Sequence, residues 1–289
     1  MNILHAGGAA GSVMQGRPSS PPVGGVIMTL QDKVALVTGG SRGIGRAICL
    51  GLASKGAKVV VAARTEVDTS AGTTFEKFAS GTIHTTTQMI QRRGGTAIGI
   101  RCDITQVEDI RRLIEHTLDH FGHLDVVVNN AGVDCESPVV DLDVDLLDRC
   151  LAVNVRGPLL LCKFALPTLI AQRSGSILCI TSGAARAYRP GRVGYSMSKA
   201  ALERMFLCLA EEVRPYNIAV NVLSPGRVDT WMNRNGDWPG TGHIPMEQPD
   251  TIIPAAVWLA TQTAASFTGQ VVERAEFGVT WGPGIPVAS

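Results

Sequence analysis

The stretch Val34-Ala35-Leu36-Val37-Thr38-Gly39-Gly40-Ser41-Arg42-Gly43-Ile44-Gly45-Arg46-Ala47-Ile48 decides how the rest of the chain is read. It opens with a short apolar, β-branched run that predicts a buried strand, and it closes on an apolar pattern of helical period. The glycines between predict a tight strand-to-helix turn, where a Cβ would clash and backbone can come close to a ligand. A helix that starts there offers free N–H groups and the positive end of its dipole, a combination suited to a pyrophosphate. An ordinary tight connection has a similar composition, so the turn draws its meaning from the residues around it.

Outward from this turn, short β-branched runs alternate with amphipathic stretches. The predicted strands are 34–38, 59–63, 97–102, 126–129, 176–181, 219–223 and, less regular than the others, 270–273. The predicted helices are 44–55, 83–93, 107–121, 143–172 with Pro158 and Pro167 as interruptions, 195–213 and 249–261. Such alternation builds an α/β fold, a doubly wound, mostly parallel sheet of Rossmann-like type with helices on both faces. A single domain over 29–289 accounts for the length. Two segments stand outside the alternation: 65–82, a polar Gly/Thr-rich insertion, and 231–242, a Trp-, Asn- and Gly-containing stretch with the character of a mobile flap.

The second predicted strand ends in Ala62-Ala63-Arg64, with no acid at the position where a carboxylate would accept from a ribose 2′-hydroxyl. Arg42 lies inside the glycine turn itself. Two guanidiniums there suit a 2′-phosphate, so NADP(H) is expected over NAD(H), although each arginine alone could be a solvated loop charge.

Farther along, Tyr195-Ser196-Met197-Ser198-Lys199 opens an amphipathic stretch and sets a phenol and an ammonium at i and i+4, on one helix face. A nearby ammonium favours phenolate over phenol and makes a tyrosine usable as an acid or base near neutral pH. A half-buried tyrosine beside an exposed lysine would share the spacing.

Taken together, these residues resemble the short-chain dehydrogenase/reductase family in its single-domain, Rossmann-like form. The resemblance covers about residues 30–272 and rests on the TGxxxGxG turn at 38–45, Asp103, Asn129-Asn130-Ala131-Gly132, Asn154, Ser182, the YxxxK pair and Pro225-Gly226. It implies a hydride transfer between a nicotinamide cofactor and a carbonyl or alcohol carbon. Ser182 would hydrogen-bond the substrate oxygen, Tyr195 would give or take its proton, Lys199 would bind the nicotinamide ribose, and Asn154 would hold a water in a proton relay. The implied dinucleotide contacts are Gly39, Ser41, Arg42, Gly43, Ile44, Gly45 and Arg64, then Asp103 and Ile104 at the adenine. Asn130, Ala131 and Gly132 would pass beneath the cofactor, Tyr195, Lys199, Pro225 and Gly226 would also contact it, and Val228 and Thr230 would sit near the carboxamide. The three-residue gap between Tyr and Lys favours carbonyl over enoyl reduction. By analogy a homo-oligomer, dimer or tetramer, is expected. After Gln270 the chain departs from the family pattern, reading Val271-Val272-Glu273-Arg274, which leaves the last strand and any interface on it open. An NAD(H)-dependent relative and a catalytically idle dinucleotide-binding protein are the alternatives.

Composition agrees with small-molecule chemistry. Lys plus Arg at 26 nearly cancels Asp plus Glu at 25, so no global field draws in nucleic acid or an anionic membrane. The seven cysteines Cys49, Cys102, Cys135, Cys150, Cys162, Cys179 and Cys208 are odd in number and scattered without a CxxC pair. They read as reduced, packed thiols of a cytoplasmic protein, and no metal site is expected. Residues 1–28 carry a single Arg and many Gly, Ser and Pro; a disordered extension is expected there, without the pattern of a secretory signal, and Met28 stands as a candidate start. No bilayer-spanning run is expected. Trp231, Met232, Trp238 and Tyr188 are candidates for an apolar pocket wall, or for packing of the flap.

Overall fold

The inner strands of the sheet are mostly β-branched or aliphatic because both of their faces are covered, whereas the edge strands Ala97–Arg101 and Gln270–Glu273 are partly exposed and carry polar residues. A computed structural model describes residues 28–66, 81–230, 232–233 and 245–286. Its strands are β1 (Val34–Thr38), β2 (Lys58–Ala63), β3 (Ala97–Arg101), β4 (Val126–Asn129), β5 (Gly175–Ile180), β6 (Ile218–Ser224) and β7 (Gln270–Glu273). They form one parallel sheet in the order β3-β2-β1-β4-β5-β6-β7. The order reverses between β1 and β4, so the connections leaving their carboxyl ends part and open a crevice there.

The helices are α1 (Gly43–Ala53), α2 (Ile83–Gln91), α3 (Val107–Phe121), α4 (Val144–Leu151), α5 (Gly157–Gln172), α6 (Val193–Val213) and α7 (Ile253–Ala260). Alternate residues of each strand feed two cores. Ala35, Val37, Val59 and Val61 pack with α1, α2 and α7, whereas Val34, Leu36, Val60 and Val127 pack with α3, α5 and α6. Each fully buried Leu or Ile in these cores contributes about 1.5–3 kcal/mol relative to an exposed one.

The predicted elements are all present, with ends moved by local chemistry. Thr82 and Thr85 cap each other at the start of α2, and Gly122 (φ 79°) ends α3 in the left-handed region that glycine tolerates. The expected helix 195–213 begins two residues earlier, at Val193. The expected helix 249–261 divides into a tight turn, Pro249–Ile252, and α7. The strand 270–273 matches its expected bounds.

One expectation needs correction. Pro158 and Pro167 do not interrupt the helical span 143–172; the irregularity is a wide turn just before them, Ala152–Arg156, where the Gly157 N–H reaches back to the Ala152 carbonyl. Pro158 lacks the N–H that an α-helix would direct at the residue 154 carbonyl, and the turn ahead of it widens to π register. Pro167 sits inside α5 without ending it. A second correction concerns length. Within the joined helical span Val144–Gln172 an 18-residue window reaches a mean hydropathy of 1.3, so the span is long and apolar enough to cross a membrane, although no such run was expected. Leu161, Cys162, Ala165 and Leu169 of this span are buried in the core against the sheet, which is how a core helix meets the same measure. The expected disordered extension (apart from Met28), most of the 65–82 insertion, and the flap beyond Asn233 lie outside the described residues.

Candidate active site

The glycine turn is built by close approach. Gly39 (φ +67°) and Gly43 (φ +54°) adopt left-handed backbone, and a Cβ on Gly45 would stand 2.2 Å from the Gly39 carbonyl oxygen. Only glycine lets α1 start this near the end of β1. Two residues that the sequence reading did not single out hold the turn in place. The Arg46 guanidinium donates to the Ser41 carbonyl (Nη2, 2.6 Å) and to Thr86 Oγ1 (Nε, 3.2 Å), while Thr86 Oγ1 donates to the same carbonyl at 3.3 Å. Thr38 Oγ1 accepts the N–H groups of Asn130 and Ala131 at 3.1 and 3.2 Å. Asn130 Nδ2 donates to the Thr38 and Gly39 carbonyls at 2.9 and 3.3 Å. Asn130 is thus a staple between the turns after β1 and β4.

Arg42 and Arg64 share one end of the crevice. Partial desolvation, followed by the Arg64 cation, holds the Arg42 guanidinium below its ordinary value. Asp103, past β3, feels the same charge: desolvation raises its carboxyl, but the Thr105 N–H and hydroxyl together with Arg64 bring it below the usual carboxylate range. Ile104 points inward, 6% exposed, against Gly157. Thr230 reaches across to the glycine turn, since a Cβ on Gly43 would lie 3.3 Å from its Cγ2.

At the other end, α6 presents Tyr195 (6% exposed) and Lys199 (5% exposed) toward β5. Lys199 Nζ donates to the Ile180 carbonyl at 3.2 Å and stands 5.8 Å from the Tyr195 ring centroid. Ser182 follows β5 by two residues, and its Oγ accepts the Ala184 N–H at 3.2 Å. That bond uses a lone pair and leaves the hydroxyl hydrogen for another acceptor. Gly132 lies between Asn154 and Lys199: a Cβ there would be 3.5 Å from Asn154 Oδ1 and 3.6 Å from Lys199 Nζ.

Asn154, in the wide turn, is fully buried and pairs with both main-chain groups of Val133 at 2.9 Å. Its Nδ2 also donates to Ser198 Oγ at 3.0 Å, and Ser198 Oγ donates to the Tyr195 carbonyl at 2.7 Å. These bonds lock the segment after β4 onto the first turn of α6.

The unusual C-terminal segment braces the far wall. Arg274 donates to the Pro225 carbonyl at 2.9 Å and pairs with Glu247 at 2.8 Å, which fixes the loop carrying Gly226 (φ +74°), buried Val228 and Thr230. Glu273 and Glu203 both pair with Arg186, Glu203 at 3.7 Å, and Thr181 Oγ1 donates to Glu203 at 2.9 Å. No spacing rule in the sequence points to Arg274, because its partners lie far away along the chain. Of the suggested pocket-wall residues, Tyr188 is fully exposed, and Trp231 and Trp238 lie outside the described residues.

Six cysteines are buried and Cys208 is exposed. Burial pushes the Cys102 and Cys162 thiols up to about 12 and those of Cys49, Cys135 and Cys179 higher still, as expected of packed rather than reactive thiols.

The chain is similar to known proteins. The short chain dehydrogenase family model matches residues 33–238. A 3-oxoacyl-[acyl-carrier-protein] reductase of Synechocystis sp. is 32% identical over 246 residues, which is 83% of this chain and 94% of that one. A metagenomic short-chain oxidoreductase solved in complex with NADP superposes with a TM-score of 0.69 at 31% identity, covering 84% of this chain and 98% of that one. A 7α-hydroxysteroid dehydrogenase complexed with NADH and 7-oxo glycochenodeoxycholic acid gives a TM-score of 0.74 at 28% identity, covering 85% and 94%. With the parallel sheet and the glycine turn, these likenesses show that the chain belongs to the short-chain dehydrogenase/reductase family, oxidoreductases that bind a nicotinamide dinucleotide and act on small molecules.

Proposed function

We propose that this chain is an NADP(H)-dependent oxidoreductase acting on a carbonyl or secondary alcohol, with Tyr195 as the proton donor or acceptor. The observation that carries the reading is the burial of Tyr195 and Lys199 side by side at the carboxyl end of β5, with the Ser182 hydroxyl two residues beyond that strand. The crevice suits a dinucleotide: Gly39, Gly43 and Gly45 leave backbone free to approach a pyrophosphate, and α1 begins there. Once bound, the nicotinamide supplies or accepts the hydride.

The chain's own residues do the rest. Ser182 donates its hydroxyl hydrogen to the substrate oxygen and polarises the carbonyl. Tyr195 delivers its proton to that oxygen as negative charge develops there. The Lys199 ammonium holds the nicotinamide ribose and balances the phenolate that forms. Asn154 belongs to the proton relay through its main-chain carbonyl, whose α-helical donor is the N–H that Pro158 lacks. Screening ketones, quinones, sugars and acyl thioesters, while following the loss of reduced-nicotinamide absorbance, tests the reading. Turnover with NADPH on at least one class is expected; binding without any turnover would favour a redox sensor or scaffold.

Cofactor choice follows from Arg42 and Arg64. The double variant Arg42→Ala/Arg64→Ala is expected to weaken NADPH binding about 10–100-fold, because both contacts are solvent-screened, while NADH binding changes little. Fluorescence titration with the two cofactors checks it, and an equal loss for both would contradict the assignment.

Assembly into a homo-oligomer is supported by exposed apolar side chains on or beside successive helices: Val144 on α4, Leu159 on α5, and Val193 and Met197 on α6. Leu159→Glu together with Met197→Glu is expected to lower the mass measured by light scattering to that of one chain. A cytoplasmic setting is consistent with the buried free thiols.

A further inference from the structure

Two cations stand close to the Tyr195 ring, and the reaction as described uses only one. Besides Lys199 on α6, the Arg192 guanidinium carbon stands over the tyrosine ring, 4.7 Å from its centroid. Arg192 immediately precedes α6 and is 3% exposed, a depth at which an arginine is almost never found unless paired. Its partner is Asp134, past β4, with Nη2 and Oδ2 3.3 Å apart. Burial raises the Asp134 carboxyl above its ordinary range, against the opposing pull of Arg192, the Cys135 N–H and Lys199. The carboxylate therefore senses both cations close to the ring.

Other titratable groups among the described residues also face the pair. Cys135, after β4, and Cys150, on α4, pack against Tyr195, and burial keeps the Cys135 thiol protonated. One turn beyond Lys199, Glu203 faces it, with Arg186 and Glu273 behind. Among the described residues, Arg192 and its carboxylate partner Asp134 are the further charged pair recorded at the ring. A guanidinium over a neutral ring is attracted by the ring quadrupole alone. When the ring carries phenolate charge, the same contact becomes an attraction between opposite charges at low exposure, where it is screened least.

We propose that Arg192, set in place by Asp134, is a positioning residue for proton transfer: it fixes the plane of the Tyr195 ring and adds a second cation that favours the phenolate. The inference rests on the reading of Tyr195 given above. In the oxidising direction, the alcohol O–H proton passes to the phenolate oxygen while the C–H hydride goes to the oxidised nicotinamide. The products are the carbonyl, the reduced nicotinamide and a neutral phenol, whose proton then leaves to solvent.

The test is the pH profile of kcat/KM for alcohol oxidation, measured alongside NADP⁺ affinity. Oxidation rises with pH as the phenolate forms, so removing a cation moves the rise upward and removing an anion moves it downward. Arg192→Gln is expected to shift the acid limb up by about one pH unit, costing about tenfold at neutral pH and little at high pH, with NADP⁺ affinity unchanged. Arg192→Lys, which keeps the charge but not the planar stack, restores part of the shift. Asp134→Asn is expected to move the limb the opposite way, and it decides the matter if Arg192→Gln does not fold. Limbs that coincide with wild type in Arg192→Gln and Asp134→Asn, or activity lowered equally at every pH, would overturn the inference and leave the tyrosine reading standing. Full activity of Tyr195→Phe would remove the tyrosine reading and this inference with it.

Discussion

Tyr195→Phe is expected to keep its dinucleotide affinity while ketone reduction slows about 10²–10⁴-fold, the usual contribution of a positioned proton donor. Phenylalanine preserves what the ring does structurally. It retains the packing against Cys135, Cys150, Val133, Leu146 and Ala184 and the surface on which Arg192 stacks. Only the hydroxyl is lost, so the fold, the glycine turn and the Lys199 contact to Ile180 stay as they are. Alanine would open a cavity beneath α6 and confuse chemistry with stability. Single-turnover rates on the best substrate of the panel, with NADPH titrations on both proteins, separate binding from chemistry. Equal rates would remove Tyr195 from the mechanism, and a matching loss of affinity would make it a binding residue.

The second large effect belongs to the other end of the crevice. Gly45→Ala places a methyl group 2.2 Å from the Gly39 carbonyl oxygen and 2.4 Å from Asn130 Nδ2. The first is backbone, and the second is tied by hydrogen bonds to Thr38 and Gly39, so neither can move without opening the turn. Overpacking of this kind costs about 1–3 kcal/mol. Because the same atoms shape the pyrophosphate cradle, NADPH affinity is expected to fall by about tenfold or more along with Tm. Gly122→Ala is the control. It also sits at positive φ but meets no atom within 4 Å, so its cost of about 1 kcal/mol should appear in Tm alone. Thermal melts and cofactor titrations of the two variants check the distinction, and a Gly45→Ala protein with wild-type affinity would refute this picture of the turn.

The architecture was legible because it is written locally. Alternation of β-branched runs with helical periods located all seven strands, and β7 matched to the residue despite its departure from the family pattern. Helix ends moved by a turn or less, where caps such as Thr82 or Gly122 decide the last residues. The wide turn at Ala152–Arg156 was misread as proline interruptions, because a missing N–H at residue 158 can be absorbed upstream rather than at the proline itself. What stayed hidden depends on which groups the fold seats together. Arg46 under the glycine turn, Arg274 on the Pro225 carbonyl and Arg192 over the tyrosine ring look in sequence like ordinary surface arginines. Ser41 and Tyr195 are near neighbours of theirs along the chain, but Thr86, Pro225 and Asp134, which complete the three seats, come from other elements.

The most direct measurement is a crystal structure of the protein with NADP⁺ bound. Pyrophosphate oxygens within hydrogen-bond reach, about 2.7–3.2 Å, of main-chain N–H groups between Gly39 and Gly45 are expected, with the nicotinamide ring facing the Tyr195 hydroxyl and Ser182. A dinucleotide seated elsewhere, or one whose nicotinamide turns away from Tyr195, would contradict the account.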